Sequence, residues 1–112
     1  MPTHKYLLIH RSPPGKPQPS PAQMQEMYAL FQAWKEKFKA NILDIGDSLK
    51  PGGKVVSAAG VTDGPFVEAK EIVGGYMIVS AESYERAIEV AKEGPGMLAP
   101  GSFIEIRELT RS

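Results

Sequence analysis

Two histidines, 13 acidic side chains, 13 basic side chains and no cysteine define the chemical repertoire of this 112-residue chain. The lack of thiols excludes disulfides, a thiolate zinc site and a cysteine nucleophile. What remains is proton transfer between imidazole and carboxylate, since a histidine within hydrogen-bond reach of an acid can shuttle protons near neutral pH. His10 closes the apolar run Tyr6-Leu7-Leu8-Ile9-His10, and Asp63 opens the segment Asp63-Gly64-Pro65-Phe66. These two form a catalytic pair only if the strand end and the turn converge; otherwise a strand-end histidine is a polar tip beside water. His4, close to the terminus, carries no expected role.

Asp63 is expected to have a particular difficulty. A turn-opening Asp usually accepts from the backbone N–H two residues on, and here that residue is Pro65, which has none. Its carboxylate must then find the Phe66 amide, a more distant group, water or a ligand. Proline also drives the residue before it out of the helical region, so Gly64-Pro65 reads as a stiff bend. Phe66, Glu68 and Lys70 follow this bend as candidate ligand-binding residues, and Glu105 and Arg107 near the C-terminus are a second candidate set. The plainer role for Glu105 and Arg107 is an ion pair between strands or between subunits. Metal binding is not expected from two histidines without ligand spacing. No Gly-rich loop leads into a helix as a nucleotide site requires, and no serine sits in a G-x-S-x-G setting, so no cofactor and no serine nucleophile are expected.

The long segment Thr62 to Glu71, followed by Gly74-Gly75-Tyr76, resembles the signature of the DGPF branch of the YCII-related family. The resemblance runs from Lys5 to Arg107 and implies a dimeric α/β-barrel assembly. It also implies a histidine in the first helix and an aspartate before a proline at the end of the second. This chain has no histidine in its first helix and carries Gly94 before Pro95, where many DGPF relatives have His or Cys. The family's proposed dyad therefore does not carry over whole.

These side chains have to be positioned by one domain, residues 1–112, because about 100 to 150 residues is the usual domain size. A formal net charge of zero gives no general attraction for nucleic acid or anionic membrane. No run is long enough to span a bilayer, and the N-terminus lacks a signal pattern, so a cytoplasmic protein is expected. Tyr6 to His10 reads as a central strand, with Leu7 and Ile9 on one face and Tyr6, Leu8 and His10 on the other. Arg11 to Pro19 reads as a proline-rich connector. Ser20-Pro21-Ala22-Gln23 is a capping box with proline at the first helical position. The helix it opens repeats Met24, Met27, Tyr28, Phe31, Trp34 and Phe38 along one stripe, expected to be buried.

Asn41 to Leu49 reads as an irregular strand interrupted at Gly46-Asp47, and Val55 to Ala59 as its hairpin partner across Lys50-Pro51-Gly52-Gly53-Lys54. Glu71 to Ser80 is a strand with Gly74-Gly75 as a bulge or a point of close approach. Ser83 caps a helix to Glu93 with Tyr84, Ala87, Ile88 and Ala91 on one face, and Gly94-Pro95-Gly96 ends it. Phe103 to Leu109 alternates as the last strand, with Ile104 and Ile106 expected under the helices.

The order predicts an α+β, ferredoxin-like split βαβ fold with an inserted β-hairpin and both helices on one face of an antiparallel sheet. Tyr6, Leu8, His10, Phe103, Glu105, Arg107 and Leu109 are expected on the uncovered face. An apolar patch of that size predicts a homodimer closing sheet on sheet. Two functions compete. One is a small-molecule-binding or regulatory homodimer, which the family resemblance links to sigma-factor-associated transcription control. The other is a cofactor-free enzyme using Asp63, with His10, as acid and base in the dimer cavity.

Overall fold

The computed structural model describes residues 3–13, 20–50, 52–64, 72–94 and 101–111. Six strands and two helices follow in the order β1 (His4–Ser12), α1 (Pro21–Lys37), β2 (Ile42–Ser48), β3 (Gly53–Ser57), β4 (Gly60–Gly64), β5 (Ile72–Ala81), α2 (Tyr84–Lys92) and β6 (Phe103–Glu108). Four strands form an antiparallel sheet in the order β2-β5-β1-β6, which is the ferredoxin-like α+β arrangement. Among the described residues, β3 and β4 pair with each other and with no other strand. No helix among the described residues is long and apolar enough to cross a membrane.

Local chemistry accounts for the helix starts. Ser20 Oγ accepts from Gln23 N at 3.2 Å while Gln23 Oε1 accepts from Ser20 N at 2.8 Å, so two otherwise unpaired donors are satisfied where Pro21 needs none. Ser83 caps α2 in the same way, accepting from Arg86 N at 3.2 Å. The helices meet the sheet through Trp34, Phe38, Ala87, Val90 and Ala91, which enclose Tyr6, Leu8, Val79 and Ala81. Trp34 Nε1 donates to the Val90 carbonyl at 2.8 Å and ties α1 to α2 inside this core.

Several expectations change. Strand register places Tyr6, Leu8 and His10 opposite Glu108, Ile106 and Ile104, and so on the helix-covered face with Val79 and Met77. The uncovered face carries Leu7, Ile9 and Arg11 instead, in register with Arg107, Glu105 and Phe103 on one side and with Ile78, Tyr76 and Val73 on the other. Two apolar alternatives of equal length in β1 left the face undetermined until packing chose the tyrosine for the core. The α1 stripe is buried only at its C-terminal end. Met24 and Tyr28 remain 55% and 65% exposed, because the core contacts of α1 are made by Phe31, Trp34 and Phe38.

The hairpin partner also differs. β3 pairs with β4 across Ala58-Ala59, so Thr62 and Asp63 are strand residues; Pro65 and Phe66 of the expected bend lie outside the described residues. β2 instead pairs with β5 through two register shifts. Gly46 takes φ +66° within it, and a Cβ there would lie 1.7 Å from the Tyr76 carbonyl oxygen, so no other residue fits. Finally, the sheet is open. β2 and β6 are separate edges, and the expected dimeric α/β barrel is overturned. The irregular β2, whose Asp44 and Asp47 side chains accept from Gly46 N and Ser48 N, makes that edge a poor template for further pairing.

Candidate functional site at the end of the sheet

β1 and β5 part from regular pairing at one place. His10 opposes Gly75 and Arg11 opposes Val73, so Gly74 is the extra residue of a bulge. A Cβ on Gly74 would sit 3.3 Å from His10 Nδ1, which means the missing side chain makes the room that the half-buried imidazole occupies. Gly75 serves the other neighbour, since a Cβ there would come within 3.0 Å of the Asp47 carbonyl oxygen on β2. The paired glycines expected as a bulge or a close approach are therefore both at once.

On the opposite face of the same sheet end, one carboxylate holds two guanidinium groups. Arg11 Nε donates to Glu105 Oε1 at 2.8 Å, and Arg107 Nη1 donates to Glu105 Oε2 at 3.3 Å. The hydrogen bond from Arg11, then that from Arg107, holds the Glu105 carboxyl below its ordinary range, partly opposed by desolvation. Arg11 is about as shielded as Glu105, whereas Arg107 is largely exposed. Among the described residues, two cations stand against one anion at this corner. The proline-rich composition of Arg11 to Pro19 hides Arg11 in the sequence, yet β1 continues to Ser12. The signal was present: Arg11 continues the alternation of Leu7 and Ile9.

Asp63 lies elsewhere. It stands on β4 with its side chain 87% exposed and ion-paired to Lys54, its register partner on β3. The structure shows no contact between Asp63 and His10; one belongs to the hairpin and the other to the main sheet. Phe66, Glu68 and Lys70 lie outside the described residues. His4 is more engaged than expected, with Nδ1 3.7 Å from Glu108 Oε2. Gly94 is buried against the Trp34 indole, where an added Cβ would lie 3.5 Å from Nε1. Among the described residues no group of three or more His, Asp or Glu is placed to hold a metal ion.

Residues 5–111 match the YCII-related domain. The chain belongs to the YCII-related domain family. No curated protein matches it in sequence. Among solved structures, this YCII-related chain is similar to the 5-chloro-2-hydroxyhydroquinone dehydrochlorinase of Burkholderia phenoliruptrix AC1100, in its complex with 2,5-dihydroxybenzoquinone. The two share 21% identity over 96% of this chain and 95% of that one, with a TM-score of 0.53. At that identity the likeness establishes a common fold for the YCII-related chain.

Proposed function

We propose that this YCII-related protein is a small-molecule enzyme that moves protons without a cofactor, with His10 as its acid/base group; Asp63, exposed on the hairpin and paired with Lys54, is not part of this site. The observation that carries this reading is the bulge opposite His10, where a glycine clears space for an imidazole at the end of the sheet. Bulges are enriched beside active sites because they re-aim one side chain without breaking the sheet. An imidazole can accept and return a proton within one turnover. The similar structure supports a substrate class of small, oxygenated rings, since that protein is named for removing HCl from a hydroxylated ring and was solved with a dihydroxyquinone. Likeness to an enzyme of the same fold favours catalysis over a regulatory module working with a sigma factor.

Within the family we place the chain in the DGPF branch, on the Asp63-Gly64-Pro65-Phe66 sequence. Phe66, Glu68, Lys70, Glu105 and Arg107 are proposed as ligand-binding residues, and to these the structure adds Arg11 beside Glu105. The proposed working unit is a homodimer.

The test is turnover of chlorinated hydroxyhydroquinones, followed by chloride release, with 2,5-dihydroxybenzoquinone as a binding probe. His10→Asn is expected to lower kcat by about 10²–10⁴-fold, the usual contribution of a positioned acid/base group, while leaving the circular dichroism spectrum unchanged. Asp63→Asn, remote from His10, is expected to leave it unchanged. Gly74→Ala, which crowds the imidazole without removing it, is expected to fall between the parent and His10→Asn. Wild-type rates in His10→Asn, or neither turnover nor probe binding by the parent protein, would end this reading.

A further inference from the structure

We propose that the irregular end of β2 positions His10, with Leu49 and Asp47 acting on the imidazole through the glycine pair of β5. The inference rests on the acid/base reading of His10 above and adds what holds that side chain in place. A hold is needed. Gly74 and Gly75 have no side chains to pack, and glycine gives up more backbone freedom on ordering than any other residue, so a bulge built from two of them does not fix its own geometry.

β2 supplies the hold at both glycines. Its ladder with β5 ends at the Ser48–Gly75 pair, yet Leu49 N, one residue further on, donates to the Gly74 carbonyl at 2.9 Å. Gly74 is therefore gripped from two directions, its carbonyl by β2 and its bare α-carbon by the imidazole, since a Cβ there would lie 3.3 Å from His10 Nδ1. Gly75 faces β2 instead. The atoms nearest a Cβ at that position are the Asp47 carbonyl oxygen at 3.0 Å and Ser48 Cα at 3.5 Å. The path of β2 towards the bulge is braced by its own carboxylates, with Asp44 Oδ1 accepting from Gly46 N at 2.9 Å and Asp47 Oδ1 from Ser48 N at 2.7 Å. Between those two aspartates β2 has a register shift of its own, where Gly46 lies against the Tyr76 carbonyl. Two irregularities in neighbouring strands are thus fitted to one another. With Nδ1 turned to the bulge, Nε2 is the ring nitrogen left to exchange a proton with substrate.

The two histidines stand towards opposite ends of β1, so one NMR spectrum carries both the probe and its control. Leu49→Pro removes the donor to Gly74, whereas Leu49→Ala keeps it and trims a side chain that is 48% exposed. Leu49→Pro is expected to shift the His10 ring resonances and to leave those of His4 at their parent positions; Leu49→Ala is expected to move neither. In turnover, Leu49→Pro is expected to lower kcat by about 10²-fold, as misplacing a reacting group by about 1 Å does, with KM unchanged. The limb of the pH–rate profile that reports the imidazole is expected to move with it, whereas a loss of folded protein would scale the profile without displacing it. Gly75→Ala, whose added Cβ has β2 atoms as its nearest neighbours, is expected to shift the same His10 resonances and decides the matter should Leu49→Pro not fold. Parent-like His10 resonances in folded Leu49→Pro or Gly75→Ala would overturn the positioning role. Wild-type rates in His10→Asn would remove the acid/base reading instead, and the resonances would still report whether β2 holds the imidazole.

Discussion

Glu105 shows how much a single side chain can set at the residue scale. Its folded-state pKa is depressed by Arg11 and Arg107, so its contribution to stability is complete above the ordinary glutamate range and is lost as pH falls through that range toward the lower folded value. Chemical denaturation from neutral pH down to about pH 3 is therefore expected to show a stability loss that Glu105→Gln removes in part, with the variant weaker than the parent at neutral pH and closer to it in acid. Gly46 is the opposite case, a residue defined by what it lacks. Gly46→Ala meets both the positive φ and the Tyr76 carbonyl oxygen, and is expected to cost at least about 1–3 kcal/mol in urea unfolding. The sequence showed these only in part. Gly46 read as an interruption, and ion pairing of Glu105 was expected, but its cross-strand partner Arg11 depended on a strand continuing two residues further than its apolar run.

Elements were more legible where their signals are local. The Ser20 capping box and the Ser83 cap are both formed as expected, because a cap is decided within four residues of chain. Ser20→Ala is expected to cost about 1 kcal/mol, read from the thermal midpoint. Pairing between elements was less legible. β3 looked like the partner of β2 because only a short turn separates them, yet it folds back on β4, while β2 is drawn onto β5. The α1 stripe was likewise read correctly as a pattern and wrongly as a wholly buried surface. Trp34, not the N-terminal half of the stripe, anchors α1. Trp34→Phe leaves the Val90 carbonyl without its donor in the core and is expected to lose about 1–3 kcal/mol.

For the whole molecule, the decisive choice is which face of β1 the helices cover. Tyr6 lies at the centre of that choice, 1% exposed, edge-on to Tyr84 at 4.8 Å between ring centroids. Burial first, then the nearby Glu108, raises the Tyr6 hydroxyl above its ordinary pKa. A raised folded-state value means that its contribution is intact below the unfolded tyrosine pKa and disappears as pH climbs through the folded one. Alkaline unfolding is thus expected to move to higher pH in Tyr6→Phe, which cannot ionise; an unchanged midpoint would show that the Tyr6 hydroxyl is not what limits alkaline stability. The same choice of face moved His10 to the helix side, beside the Gly74 bulge, and left Arg11, Glu105 and Arg107 on the other. It thereby split the residues that sequence reading had grouped on one uncovered surface.

Sequence alone determined the family resemblance, the ferredoxin-like order of elements, the helix caps and the place of the glycine irregularity in β5, because each depends on residue type and short spacing along one chain. Tertiary structure decided strand partners, the buried face of β1, the open sheet and the separation of Asp63 from His10. Those outcomes depend on which of several near-equivalent apolar surfaces packs best, and that competition is settled only when all the elements meet.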